Sequence, residues 1–447
     1  MKKIDLTRRK FLGRTGTAAL VLPLAAAIPA AIEATSPNRV EAAMEEDDQQ
    51  QIPNRAITAR TIGTGTATAN MPIDGSDCSS AIQAAITSLG SGGGVVTIPW
   101  NDTNKNPTPP PTDNPQGPFC EYYLDIMANS YVAPNGKTAY YGVKLANNVR
   151  IQAAPGVVIK AMPTHNGDPI SYERAYMFLC QAVNNVEFCN LRLVGERYTH
   201  DLSGSSTDEW CHGIQIIGAQ HVTVRACIIS DCTGDGICVG RYNGVDPSDI
   251  IICDVVCTGN RRQALSLTGG DTLQVYDSEF SNTYGTAPQN GIDIEPMGGA
   301  NLSNITIDNC LIRGNSGDGI ELNANGTATS VTNLTVQNCL LAENYWHGIA
   351  VHGSGTIDTG GIYGNAFYQN GNIGLSLADS PTNYTIGALN KDGNFTNNFA
   401  NNNVGTYSYP NNTSSDVNGY VAGDDMHLGP DVIGSSSNVV RYNRFFS

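Results

Sequence analysis

From about Tyr140 onward, short β-branched runs alternate with glycine and asparagine turns, and one pattern recurs: HGIQIIG at His212, DGICVG at Asp235, QALSLTG at Gln263, NGIDIEP at Asn290, DGIELNA at Asp318, HGIAVHG at His347 and IGLSLAD at Ile373. Between their first aliphatics (Ile214, Ile237, Leu265, Ile292, Ile320, Ile349 and Leu375) the intervals are 23, 28, 27, 28, 29 and 26 residues. A second element with period-two alternation precedes each, as in HVTVRACII, NITIDNCLI and NLTVQNCLL, so each repeat reads as several short strands. A unit this small cannot bury its own apolar face, whereas copies stacked at the strand spacing of ~4.8 Å build one continuous core. The pattern therefore predicts an all-β chain, a right-handed parallel β-helix over residues 140–447. A propeller needs longer repeats, and a leucine-rich solenoid needs a leucine framework that is absent. Cys227, Cys310 and Cys339 recur at one place in their repeats and are expected as a buried column.

The segment ahead of the coil, residues 56–139, reads as an N-terminal cap. DCSS before AIQAAITSLG predicts a short helix with an Asp or Ser N-cap and Gly90 near its end, and GGGVVTIPW a turn feeding a strand. The Pro-, Asn- and Thr-rich run from Asn101 to Phe119 is expected as a surface excursion. Residues 43–55, containing MEEDDQQQIPN, lack apolar periodicity and read as a flexible tether. Residues 1–42 combine a basic start, an apolar stretch broken by prolines and small residues suited to cleavage, which is the pattern of a signal peptide. Within them, Thr7-Arg8-Arg9-Lys10-Phe11-Leu12 resembles the twin-arginine export motif. That resemblance implies export by the twin-arginine machinery after folding, to the periplasm or the outside of the cell.

Composition narrows the partners. The net charge of −16 becomes −20 if cleavage follows Ala42, which excludes a general electrostatic grip on nucleic acid or anionic lipid. No window reaches the length of an apolar membrane span. The twelve cysteines are too sparse for a disulfide scaffold and form no zinc-ribbon spacing.

Alternation also states which side chains leave the coil. With the aliphatics inward, one outward column runs Gln215, Cys238, Ser266, Asp293, Glu321, Ala350 and Ser376, and the next contains Thr268, Glu295, Asn323 and His352. The turn before each strand contributes His212, Asp235, Gln263, Asn290, Asp318 and His347. Asp293 and Glu295 are two residues apart, ~6.6 to 7 Å between Cα atoms, while Asp293 and Glu321 are one rung apart at ~4.8 Å. Carboxylates so close perturb each other, and one held protonated beside another held ionised is what glycoside cleavage requires. Both retaining and inverting separations are within reach, and a merely solvated acidic face is the alternative. Arg261-Arg262-Gln263 enters the rung before Asp293; an arginine there could bind an acidic sugar, orient an acid or neutralise the cluster. Upstream, Glu196, Arg197, His200, Asp208, Glu209, Trp210 and His212, and downstream Trp346-His347, offer proton-transfer groups and flat faces for sugar rings. The spacing from His200 to His212 does not match a HExxH site, and no metal is assigned.

AIQAAI and GGGVVTIP followed by DGI-type coils resemble the pectate-lyase-like β-helix superfamily over residues 56–445. The resemblance implies the fold and a range of activities: polysaccharide lyases, glycoside hydrolases, esterases, epimerases, tailspikes and adhesins. In lyases of this type an arginine or lysine serves as base and carboxylates hold calcium, which would give those roles to Arg262 and to Asp235, Asp293 and Glu295. The chain departs from the NTD…DD…GHG…RIK series of polygalacturonases, and GVDPSD at Gly244 lacks the His and Glu of the DPHE element of alginate epimerases. The residues thus point to cleavage of glycosidic bonds in a polysaccharide by Asp293, Glu295, Glu321, Asp235 and Arg262. Substrate contacts are expected from Arg261, Gln263, His200, Glu209, Trp210, His212, Asp318, Trp346, His347 and His352. Hydrolysis without a cofactor is favoured, because carboxylates outnumber cations and only Lys391 follows Lys160. The alternatives are a calcium-assisted lyase or uronate epimerase, and a non-catalytic glycan-binding protein. Substrate identity and oligomeric state are left open.

Overall fold

The computed structural model describes residues 62–106, 119–163, 174–200, 209–326, 328–377, 381–387, 397–400, 426–428, 439–441 and 444–446. The expected signal peptide, the tether, most of the proline-rich excursion and Asp208 lie outside them. The described strands form two sheets, one of 22 strands and one of 11. Nearly every pairing among the described residues is parallel; Lys105–Asn106 with Phe119–Leu124, Asn129–Val132 with Thr138–Lys144 and the isolated bridge of Tyr242 with Val245 are antiparallel.

The 11-stranded sheet carries the glycine–aliphatic repeats. Trp210–Ile217, Ile237–Gly240, Leu265–Leu267, Ile292–Ile294, Ile320–Asn323, Ile349–His352 and Leu375–Leu377 pair in sequence order. Their register aligns Ile214, Ile237, Leu265, Ile292, Ile320, Ile349 and Leu375 in one column, and all seven are buried in the main core. The expected stack is present. Because each of these side chains is enclosed by its rung neighbours, Ile320→Ala should cost about 2–5 kcal/mol, measured as a lower urea midpoint.

Asparagine is frequent because the corners of the coil need left-handed backbone. Asn304 (φ 54°) and Asn333 (φ 56°) share one corner, and Asn309 (φ 54°) and Asn338 (φ 54°) the next. Asparagine also bonds along the axis. The Asn315 Nδ2 donates to Asn344 Oδ1 at 2.9 Å and the Asn344 Nδ2 to Asn370 Oδ1 at 3.0 Å, all three side chains being buried. Cys227 pairs with Val255, and Cys310 and Cys339 lie buried on successive rungs of the same sheet, as expected of core fillers. All twelve cysteines are free and buried.

At the N-terminal end the helix spans Ser79–Ser88. Its N-cap is Cys78 and not the expected Asp or Ser. Asp77 acts one residue earlier, accepting from the Ser79 backbone N–H at 2.9 Å and from that of Asp125 at 2.8 Å, which ties the helix to the first rungs. Gly65–Thr68, Gly94–Ile98 and Val149–Ala153 already stack in parallel register. Parallel rungs therefore begin ahead of Tyr140. No helix among the described residues is long and apolar enough to cross a membrane.

Candidate functional site

Strand alternation places the acidic groups on the outer side of the 11-stranded sheet. Ser266 pairs with Asp293, Asp293 with Glu321 and Glu321 with Ala350, so the first outward column is as expected. Asp293 is nonetheless only 2% exposed, lying at the bottom of the face.

Two side-chain amides set the hydrogen-bond polarity there. The Asn290 backbone N–H donates to Gln263 Oε1 at 2.8 Å, which leaves the Gln263 Nε2 to donate to Asp293 Oδ2 at 3.0 Å. One rung on, the Asp318 backbone N–H donates to Asn290 Oδ1 at 2.7 Å, so the Asn290 Nδ2 donates to Glu321 Oε2. The other oxygen of Glu321 meets His352 Nε2 at 2.9 Å. Glu321 thus faces N–H groups at both oxygens, the setting of a carboxylate, whereas Asp293 has Oδ1 left for a proton.

The electrostatics divide the pair in the same sense. Burial, followed by the charges of Glu321 and Glu295, pushes the Asp293 carboxyl well above the usual range against the pull of Arg262. Burial also raises Glu321, but the hydrogen bonds from His352 and Asn290 outweigh it and hold this group below the usual range. Glu295 is raised, chiefly by burial, with Arg262 opposing and Glu321 adding. The turn column braces this arrangement: His347 Nδ1 lies 2.8 Å from Asp318 Oδ1, and its Nε2 lies 3.1 Å from Asn372 Nδ2.

A second group lies on the preceding rungs. Asp235 is fully buried and accepts from Arg262 Nη1 at 3.3 Å and from Ser266 Oγ at 2.8 Å. Burial alone would lower the Arg262 titration, but Asp235 and Asp293 outweigh it and hold the guanidinium more firmly charged than usual. Glu209 Oε2 lies 3.5 Å from Arg262 Nε. His212 Nδ1 accepts from the Asp235 backbone N–H at 2.9 Å, and burial pushes this imidazole down to about 4, so it is neutral with its hydrogen on Nε2.

Other expected site residues lie apart from the carboxylates. His200 pairs with Glu196 at 2.8 Å inside a helical turn that brings residues four apart together. Arg261 is buried against Gly285, and Trp346 packs edge-on to Tyr345. Donor atoms of Glu196, His200 and Cys211, and of His212, Asp235 and Cys238, converge within 4.8 Å in two clusters. In the first, Glu196 and His200 already satisfy each other; in the second, Arg262 occupies Asp235. Sequence reasoning missed the orienting role of Asn290. It also missed Arg174 and Tyr176, which lie on Arg174–Gln181, the rung before Trp210–Ile217. That strand reads RAYMFLCQ and lacks the glycine–aliphatic signature.

Known proteins share this geometry at the level of the coil. The family model described as "Right handed beta helix region" matches residues 200–361. The fold is a right-handed parallel β-helix. Among curated sequences, the SPbeta prophage-derived uncharacterized protein YorA of Bacillus subtilis is 28% identical over 204 residues, covering 41% of this chain and 34% of that protein. The chain thus spans about a third of the length of the curated relatives it matches. Among solved structures, endo-xylogalacturonan hydrolase from Aspergillus tubingensis aligns with a TM-score of 0.54 at 11% identity, over 85% of this chain and 92% of that one. Tailspike protein gp49 of the Acinetobacter baumannii bacteriophage Fri1, a capsular polysaccharide depolymerase, aligns at 0.50 and 13% identity, over 86% and 61%. Identities this low speak for the shared fold.

Proposed function

We propose that the protein is an exported glycoside hydrolase that cleaves a polysaccharide lying along the outer face of the 11-stranded sheet. Asp293 serves as the general acid, and ionised Glu321 as the base or nucleophile. The observation that carries this reading is the adjacent-rung pair whose hydrogen bonds and burial drive the two carboxyls in opposite directions. Asp293 gives its proton to the leaving glycosidic oxygen, while Glu321, steadied by Asn290 and His352, activates water or attacks the sugar carbon. Glu295 contributes charge that keeps Asp293 protonated. The hydrolases and depolymerases that share the fold agree with a glycan substrate.

Calcium-assisted elimination is disfavoured by the donor set. Calcium takes six to eight oxygen ligands, whereas both oxygens of Glu321 and Oδ2 of Asp293 are met by amide and imidazole N–H groups. The lyase route would also need Arg262 as a base, and its environment strengthens its hold on the proton. A glycan screen with reducing-end detection tests the proposal: new reducing ends without ultraviolet absorbance from an unsaturated sugar are expected, and such absorbance would replace hydrolysis with elimination.

The pH profile of kcat/KM should be a bell with its acid limb below the ordinary glutamate range, set by Glu321, and its alkaline limb well above the ordinary aspartate range, set by Asp293. Glu295→Gln removes a negative charge that raises Asp293, so the alkaline limb should move to lower pH. His352→Ala removes a donor that holds Glu321 down, so the acid limb should move to higher pH. Limbs that stay fixed in both variants would detach these neighbours from the reacting pair.

A further inference from the structure

We propose that cleavage runs through a covalent glycosyl ester on Glu321, so that the product keeps the anomeric configuration of the substrate. The inference rests on the glycan-cleaving reading and deepens it by assigning Glu321 the role of nucleophile. Retaining glycosidases hold their two carboxyls about 5–5.5 Å apart, whereas inverting ones leave about 6.5–9.5 Å to admit a water between them. Here the coil sets the separation. Asp293 and Glu321 are register partners on adjacent strands, ~4.8 Å apart. Each is tethered by the same contact, repeated one rung on: a side-chain amide from the turn of the preceding rung donates to it, Gln263 to Asp293 at 3.0 Å and Asn290 to Glu321. Both carboxyls therefore lean the same way. The two contacts exchange one methylene, a long amide on a short acid and a short amide on a long acid, and the extra ~1.3 Å of reach in Glu321 opens the rung spacing only to ~5 Å.

The surroundings of the pair suit both halves of a double displacement. Asp293 Oδ1 is not among the sealed, unpartnered side-chain atoms of the described residues, so the oxygen left for the proton opens on the face. In the first step that proton passes to the glycosidic oxygen as its bond to the anomeric carbon breaks, and a Glu321 oxygen supplies the electron pair of the new ester bond. Each Glu321 oxygen keeps a lone pair beyond the one engaged by Asn290 or His352. In the second step Asp293, now ionised, takes a proton from water, the water oxygen attacks the anomeric carbon, and the ester electrons return to Glu321. Asp293 ends protonated and Glu321 ionised, as they began. The hydrogen bonds that hold Glu321 below the ordinary range also make it a good leaving group in this half. The wider pair on one strand, Asp293 and Glu295 at ~6.6 to 7 Å between Cα atoms, serves inversion poorly, because burial pushes both upward and neither supplies the ionised base a single displacement needs. The diagonal pair, Glu295 as acid over Glu321 as base at ~8 Å, is the inverting arrangement against which the proposal is tested.

Proton NMR of the full chain acting on xylan, galactan and galacturonate oligosaccharides reads the anomer released before mutarotation. The wild type should release the anomer of the substrate. Glu321→Gly should lose about 10²-fold or more in turnover and regain activity with sodium azide as external nucleophile, forming a glycosyl azide of the opposite configuration, a product that a merely structural Glu321 would not give. The wild-type measurement decides the stereochemistry even where Glu321→Gly fails to fold. Release of the opposite anomer overturns the covalent step and leaves hydrolysis in place, with Glu295 as the acid if Glu295→Gln loses the activity that Asp293→Asn keeps. Retention in the wild type beside a folded Glu321→Gly that azide does not rescue removes Glu321 as the nucleophile. An unsaturated product, or no cleavage of any of the three glycans, rejects the hydrolase itself and this step with it.

Discussion

Asp293→Asn and Glu321→Gln should each lower turnover on the true substrate by about 10²-fold or more, the order lost when a general acid or base is removed, while the coil stays folded. Both replacements nearly preserve shape. The amide introduced by Asp293→Asn still offers an oxygen to Gln263 Nε2, and the one introduced by Glu321→Gln still offers an oxygen to His352 or Asn290, but neither can give or take the proton. A stability measurement separates a reacting role from a packing role. The Asp293 carboxyl titrates higher in the folded chain than the ordinary value, so the wild type keeps its full stability at low pH and loses some as pH rises through the folded value. Asparagine carries no such charge. Asp293→Asn should therefore match the wild type in acid and exceed it in melting temperature at alkaline pH, although it is inactive. Unfolding that precedes inactivation would assign Asp293 to packing. If both variants fold and remain fully active, this pair leaves the mechanism and the non-catalytic glycan-binding reading takes its place.

The coil was legible in the sequence because its determinants are local and repeated. An aliphatic at every second position and a turn at every corner write the register directly, and the column from Ile214 through Leu375 is readable in the sequence itself. The same alternation placed Asp293, Glu295 and Glu321 outward. It did not reveal their protonation, because that depends on which way the Gln263 and Asn290 amides point, and each is oriented by a backbone N–H from the next turn. Those contacts span 27 and 28 residues, so no short window contains them. His200 was overvalued for a related reason: its chemistry is evident in the sequence, but its pairing with Glu196 emerges only from the helical turn between them. Arg174 was missed because its rung is formed without the repeat signature. A rung needs inward apolar side chains and a paired neighbour; the glycine that marks the later rungs allows a close approach between them, as where a Cβ at Gly291 would meet the Gly319 carbonyl oxygen at 2.7 Å.

Replacing Arg8 and Arg9 together by lysine should retain the precursor in the cytoplasm, because the arginine pair is the specific part of the proposed export signal. The buried thiols give this prediction a physical reason beyond the motif. All twelve cysteines are free and buried, and neighbours such as Cys310 and Cys339 lie on successive rungs. A chain threaded unfolded into an oxidising compartment would expose twelve thiols to random pairing. Folding first seals them in. Burial then pushes the Cys227, Cys238 and Cys253 thiols up to about 12, leaving almost no reactive thiolate at neutral pH. The exported wild type should therefore yield twelve free thiols when titrated in denaturant and almost none when native. Rerouting the same chain through a signal for unfolded export should produce mispaired, protease-sensitive material. Undiminished secretion of the Arg8→Lys, Arg9→Lys double variant would rule out the twin-arginine route, and native disulfides in the secreted protein would remove the reason for folding before export.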